Sequence, residues 1–284
     1  MLSQRWLINL ALILIIAGLV IAAILLEQSD EDPTGQRISP LTTDQVNRIE
    51  VDYAGARILL VRTAADWTIE SPVSWPAQTG NVERLLGILN SQSPSLANTT
   101  DVDLAALGFD TPAARLRFNE TEWQFGATNN IGERRYLMTD DRLYLLPDLH
   151  LAFIAQGLPG LVQRQLVPKP FAIRSINLPG YRIQLDANGD WQSDPTVLAD
   201  TGAVQQLVDT WQKTQASRIQ PFKLRGAISE VIDVELKNGR KLEFLLMATE
   251  PELILANPAI ELQYHFPRDQ AESFLDPRVN EVNG

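Results

Sequence analysis

Apolar residues follow three patterns along this chain. From Trp6 to Leu26 the sequence WLINLALILIIAGLVIAAILL is apolar almost without interruption, Asn9 being its only strongly polar residue. At about 1.5 Å per residue such a helix spans roughly 30 Å, the thickness of a bilayer's hydrocarbon core. A cleaved signal peptide has a shorter apolar region, and here Ala22-Ala23 leads into more Ile and Leu where a cleavage site would stand. The run reads as an uncleaved transmembrane anchor. Beyond it come short stretches of alternating apolar and polar residues, the mark of half-buried strands, and two stretches with apolar residues at helical spacing.

The strand-like stretches are Val46 to Val51, Ile58 to Val61, Ala114 to Phe118, Trp123 to Phe125, Tyr136 to Met138 and Leu143 to Leu146. A second series follows at Ile173 to Leu178, Tyr181 to Leu185, Val231 to Leu236, Lys241 to Leu245, Leu253 to Leu255 and Leu262 to Phe266. Asn238-Gly239, between two of them, is a strong hairpin dipeptide. The helical stretches carry Val82, Leu85, Leu86 and Leu89, and then Val204, Leu207, Val208 and Trp211, at i, i+3, i+4 and i+7. Thr79-Gly80-Asn81-Val82 opens the first and Thr201-Gly202-Ala203-Val204 the second, with Thr79 and Thr201 placed to cap them. Asp66-Trp67 precedes one and Asp190-Trp191 the other, so the pattern recurs after about 120 residues, the size of a small domain rather than of a solenoid turn. Short helical segments near Leu149 to Gln156 and near Gln270 to Leu275 close the copies.

Strands joined by hairpins, with a helix between strand groups, predict an α+β fold: an N-terminal transmembrane helix followed by two tandem repeats, each a mostly antiparallel sheet with helices packed on one face. The division expected is a cytoplasmic tip at 1–5, the transmembrane helix at 6–26, an acidic linker at 27–44, a first repeat at 45–165, a linker at 166–172 and a second repeat at 173–284. The prolines of Val167-Pro168-Lys169-Pro170 mark the inner boundary, because they interrupt both helix and sheet.

Charge sets the direction of the anchor. Arg5 lies before it and Glu27, Asp30, Glu31 and Asp32 after it, so positive residues stay inside and everything beyond Leu26 is exported. The lipid bilayer is thus the first expected partner, through the N-terminal helix. Ala11, Gly18 and Ala22 share nearly one face of that helix and would let a second helix approach closely. The chain's 24 basic against 35 acidic residues give a net charge of -11, which repels phosphate backbones and disfavours nucleic acid as a partner. With no cysteine, disulfides, thiolate metal sites and thiol nucleophiles are excluded.

Candidate chemistry is sparse. His150 and His265 are the only two histidines, and neither has an evident partner or stands in a metal-ligand spacing, so no metal site, cofactor or catalytic residue is assigned. Asp186-Ala187-Asn188-Gly189-Asp190 begins like a calcium loop, but Trp191 and Val197 occupy positions where that loop needs Gly and a bidentate Glu; it reads as a hairpin turn. Asp140-Asp141 also reads as a turn, since adjacent strand residues point to opposite faces. Trp67, Trp191 and Trp211 recur at core positions of the repeat. Trp75, beside Pro76 in an expected loop, is the one aromatic assigned to surface contact.

A short helix leading into a turn at Leu104-Ala105-Ala106-Leu107-Gly108-Phe109-Asp110-Thr111-Pro112 resembles the domain of unknown function 4340 family. The resemblance extends to Trp67 with Pro72, the Val82 helix, Trp123-Gln124-Phe125-Gly126, Arg135-Tyr136-Leu137 and Leu143-Tyr144-Leu145-Leu146. It covers about residues 45 to 165 well and the second copy less clearly; Phe109 stands where Leu is more usual, a tolerable apolar exchange. It implies an envelope protein of the bacterial inner membrane, its soluble part in the periplasm, sometimes found beside ABC-type export systems such as the gliding-motility transporter. Other envelope or inner-membrane proteins are then the expected partners. The resulting expectation is a non-enzymatic binding or scaffolding module. A glycan- or lipid-binding protein using a groove between the copies is the alternative, and an enzyme whose residues assemble from afar is a third.

Overall fold

The computed structural model describes residue 16 and residues 37–64, 66–93, 96–129, 132–194, 201–224 and 230–276. The expected anchor Trp6–Leu26, with Ala11, Gly18 and Ala22, lies outside these residues except for Ile16. Among the described residues no helix is long and apolar enough to cross a membrane. The chain joins the folded part earlier than the expected boundary at 45. Ile38 and Ser39 are already buried, and the Arg37 guanidinium donates to the Asn90 side chain at 3.2 Å.

The first half runs β1 (Arg48–Tyr53), β2 (Ala56–Thr63), β3 (Asp66–Ser71), β4 (Trp75–Pro76), α1 (Thr79–Leu86), β5 (Ala97–Asn98), β6 (Ala114–Phe118), β7 (Thr121–Asn129), β8 (Arg134–Thr139), β9 (Arg142–Pro147), α2 (Leu149–Ile154) and α3 (Gly157–Leu161). The second runs β10 (Ile173–Leu178), β11 (Tyr181–Leu185), β12 (Trp191–Asp194), α4 (Thr201–Lys213), β13 (Arg218–Pro221), β14 (Glu230–Leu236), β15 (Lys241–Ala248), β16 (Glu252–Asn257), β17 (Leu262–Pro267) and α5 (Ala271–Leu275). The fold is α+β, with two antiparallel sheets and few helices. The strand orders are β4-β3-β2-β1-β6-β7-β8-β9-β5 and β12-β11-β10-β14-β15-β16-β17-β13. Apart from β4, the two sheets follow the same course, strand for strand.

Alternation drives the sheets. Ile49 and Val51 of β1 and Leu116 and Phe118 of β6 point into the core, while Glu50, Asp52, Arg115 and Arg117 occupy the other face. Tight hairpins set the register. Ala54-Gly55 and Asp140-Asp141 each place two consecutive residues at positive φ, the twist that suits adjacent antiparallel strands. Asp186 turns its hairpin by accepting the backbone N–H groups of Asn188 at 2.8 Å and Asp190 at 3.0 Å, which holds its carboxyl below the usual range.

Each long helix presents its apolar face to the core. Val82, Leu85 and Leu86 of α1 are buried, as are Val204, Leu207, Val208 and Trp211 of α4. Trp211 is held on three sides: Nε1 donates to the Phe274 carbonyl at 2.9 Å, and its rings meet Phe244 and Phe274 edge-on. Thr79 does not cap α1. It is the first helical residue, and Gln78 before it makes no side-chain cap bond. The helix start is instead tied to α3, through Asn81 Nδ2 donating to the Gly160 carbonyl at 2.7 Å and Gln78 N–H donating to Leu161 at 2.7 Å.

Between β5 at one rim and β6 in the middle of the sheet, residues 99–113 cross the face opposite the helices. Phe125 of β7 points to the core, so Gly126 faces the other way. A Cβ on Gly126 would lie 2.5 Å from the Leu107 carbonyl oxygen and 2.9 Å from the Phe109 ring. The family-like stretch Leu104–Pro112 is thus a strap laid on the sheet, with Phe109 buried beneath it.

Candidate functional site

The residues that join the two halves form a hydrogen-bonded region outside the cores. After α3 the chain runs alongside β4: Val162 makes an antiparallel bridge with Ala77, and Gln163 donates its N–H to Pro76 at 3.2 Å and its side-chain amide to Ala77 at 2.9 Å. One residue later it turns to the second half. The Arg164 carbonyl accepts the Ala216 N–H at 2.9 Å, and its guanidinium donates Nε to the Ala216 carbonyl at 2.7 Å and Nη2 to the Ala216 and Ser217 carbonyls. The segment expected as a linker is packed, with Leu166 and Val167 fully buried and Val167 N–H donating to the Trp211 carbonyl at 3.2 Å.

Trp75 belongs to this junction and not to the surface. Only 1% exposed, it pairs across β3 with Ile69, packs on Phe171 at a ring separation of 5.3 Å, and lies under the Arg240 guanidinium. The expectation of surface contact fails because the neighbouring Trp75-Pro76 pair is a two-residue strand, too short to show a period, whose register turns the indole inward. Burying so large a ring is worth on the order of 3 kcal/mol, which outweighs what a flat surface contact could offer an unoccupied protein. Around Trp75 the junction is filled, by the indole itself, Phe171 and Arg240.

Beside the junction lies a hollow of about 430 Å³, walled by Asn81 of α1, Pro159 and Gly160 of α3 and the edge strand β13. Arg164 and Arg218 reach it from the two halves. A second hollow of about 530 Å³ shares Gln220 and Pro221 with the first and continues over Met247 and Ile254, with Lys223 and Gln263 at its sides.

His265, 2% exposed, pairs across β17 and β13 with Arg218, and it has partners. Its Nδ1 is 2.8 Å from Glu252 Oε1, and Arg218 Nη2 lies 2.8 Å from the same oxygen and 3.0 Å from Nδ1; the Gln263 amide meets Nε2 at 2.9 Å. The expectation of an unpartnered histidine is corrected for a geometric reason. Strands β16, β17 and β13 lie side by side, and only that pairing brings positions 218, 252 and 265 together. The cluster compensates its own charges. Ser217 Oγ donates to the His265 carbonyl at 2.9 Å and not toward the imidazole, so these groups do not form a nucleophile and base. His150, on α2, is half-buried; burial lowers its pKa, against the opposing pull of Asp148. Among the described residues no three His, Asp or Glu side chains gather closely enough to hold a metal ion.

The family-like motifs converge on a separate structural knot. Arg135 of β8 donates Nε and Nη2 to the two carboxylate oxygens of Asp148, both at 2.7 Å, donates Nη2 to Thr128 Oγ1 at 2.8 Å, and also donates to the Gly126 carbonyl. This ties the bulge in β7 to the start of α2, with Ala127 N–H donating to the strap at Leu107 at 2.8 Å. Sequence reading singled out neither Arg164 nor Arg218. A signal existed in the proline of Arg218-Ile219-Gln220-Pro221, a residue confined to edge strands, but four residues are too few to announce a strand.

A family model described as "Domain of unknown function (DUF4340)" matches residues 67–238, which reaches from β3 across the junction into the second sheet. No curated protein and no solved structure matches the chain.

Proposed function

The chain belongs to the domain of unknown function 4340 family, and from that premise we propose that it is a non-enzymatic, membrane-anchored periplasmic module that binds other envelope proteins, as an auxiliary part of an ABC-type export system would. Its soluble part is a tandem pair of one α+β unit, at 45–165 and 173–284. The helix Trp6–Leu26 holds that pair on the outer side of the inner membrane. The carrying observation is the common strand order of the two sheets, combined with a junction that buries Trp75, Leu166 and Val167. Two units packed in this way offer a wide binding surface at a fixed distance from the membrane. Arg135 and His265 are held in internal pairs with Asp148 and Glu252, which suits a scaffold better than a site of chemistry.

The alternative of a glycan- or lipid-binding protein would use exposed aromatics such as Trp75 beside a groove between the copies, and the burial of Trp75 removes that aromatic from its support. Affinity purification of the full chain in a mild detergent tests the proposal. A membrane protein of the envelope is expected to co-purify in fixed stoichiometry and to be lost when the solubilised complex is dissociated by urea. Recovery of the chain alone under every growth condition would contradict it.

A further inference from the structure

The two hollows that meet at Gln220-Pro221 carry a charge at odds with the rest of the chain. The protein has a net charge of -11, yet the residues lining both hollows include Arg164, Arg218 and Lys223 and no carboxylate. Arg164 spends Nε and Nη2 on the carbonyls of Ala216 and Ser217, which fixes the plane of its guanidinium and leaves Nη1 for the hollow. Arg218 is half exposed and engages Glu252 and His265 through Nη2, leaving Nη1 and Nε. Lys223 is exposed and forms no ion pair among the described residues. Glu252 lies behind Arg218 and offsets part of that charge, and the Glu261 carbonyl accepts the N–H of Phe222, the residue before Lys223, at 2.7 Å. Met247, Ile254 and Pro221 supply an apolar floor next to these cations, and Gln156, Gln220 and Gln263 supply neutral hydrogen-bonding groups.

We propose that this trough is a binding site for a phosphate-bearing amphiphile, its anionic head held by Arg164, Arg218 and Lys223 and its apolar part lying on Met247 and Ile254. Guanidinium groups suit the head, because their planar forks bond two phosphate oxygens at once and are less strongly hydrated than ammonium. A local cationic trough in an otherwise acidic protein draws an anion to this one place and repels it elsewhere. The ordered Arg164 lowers the entropic cost of binding, since its side chain is already immobilised before the ligand arrives. The inference stands apart from the envelope-partner reading: a chain that binds no other protein could still hold such a ligand.

Calorimetric titration of the full chain in a neutral detergent tests it. The probes are dihexanoyl phosphatidylglycerol, dihexanoyl phosphatidylcholine and inorganic phosphate. The expected result is saturable binding of phosphatidylglycerol, absent for phosphatidylcholine, weakened at least tenfold in Arg218→Gln and in Lys223→Gln and weakened further by raised salt. Lys223→Gln guards against misfolding as the cause, since that side chain is exposed and forms no ion pair among the described residues. If inorganic phosphate binds as tightly as phosphatidylglycerol and the two variants weaken both, the anion site is upheld and its source is a soluble phosphate. No saturable binding of either anion, or binding unchanged in Lys223→Gln, overturns the proposal.

Discussion

Gly126 is informative because its two neighbours define what the family-like motif does. The strap from Leu104 to Pro112 approaches β7 so closely that a side chain at Gly126 would collide with the Leu107 carbonyl, which itself accepts the Ala127 N–H, and with the Phe109 ring. Backbone on one side and a buried aromatic on the other leave little room to yield. Gly126→Ala is therefore expected to lower stability by about 1–3 kcal/mol in urea denaturation, as overpacking does. Gly80→Ala is the control: it lies in α1 with open space around its Cβ and is expected to be neutral or stabilising. Equal stability of Gly126→Ala and the parent protein would show that the strap does not press on the sheet. The same residue-scale logic explains Trp75, whose burial follows from pairing with Ile69 and not from any feature of its immediate sequence.

At the scale of elements, the legible parts were those with enough residues to display a period. Strands β6, β10 and β11 coincide with the stretches that alternation marks out, and α1 and α4 bury the apolar residues that helical spacing selects. Strands β4, β5 and β13 have two to four residues each and exist because neighbouring strands recruit them, so no period announces them. Helix α3 was hidden by its own composition, since Gly157, Pro159 and Gly160 all argue against a helix. The polar cluster around His265 was illegible for a related reason: its members meet only through strand pairing across positions far apart in the chain. Helix α2 carries a testable pH dependence. Burial favours the neutral His150 imidazole, so its folded pKa lies below the unfolded value of about 6.5. The associated stability is fully present above that value and is lost as pH falls through the folded pKa, because the unfolded chain takes up the proton first. Between pH 7 and pH 5 the parent protein should lose more stability than His150→Gln in parallel denaturation curves; parallel losses in the two would contradict it.

For the whole molecule, the main consequence of the sequence is spatial. Two sheets with one strand order share a continuous core through Trp75, Phe171, Leu166 and Val167. The chain enters this body at Arg37, only about ten residues after the apolar run ends, and ten extended residues reach at most about 36 Å. On the proposed anchoring, a body tethered so closely stands beside the membrane, which suits other envelope proteins as partners and an amphiphile as occupant of the cationic trough. The proposed function requires the acidic part of the chain to lie outside the cytoplasm. Protease treatment of intact spheroplasts, followed by detection of a C-terminal epitope, measures this directly. The expected result is loss of the epitope without lysis of the cells, and an epitope protected until the membrane is broken would contradict the orientation on which the proposed function depends.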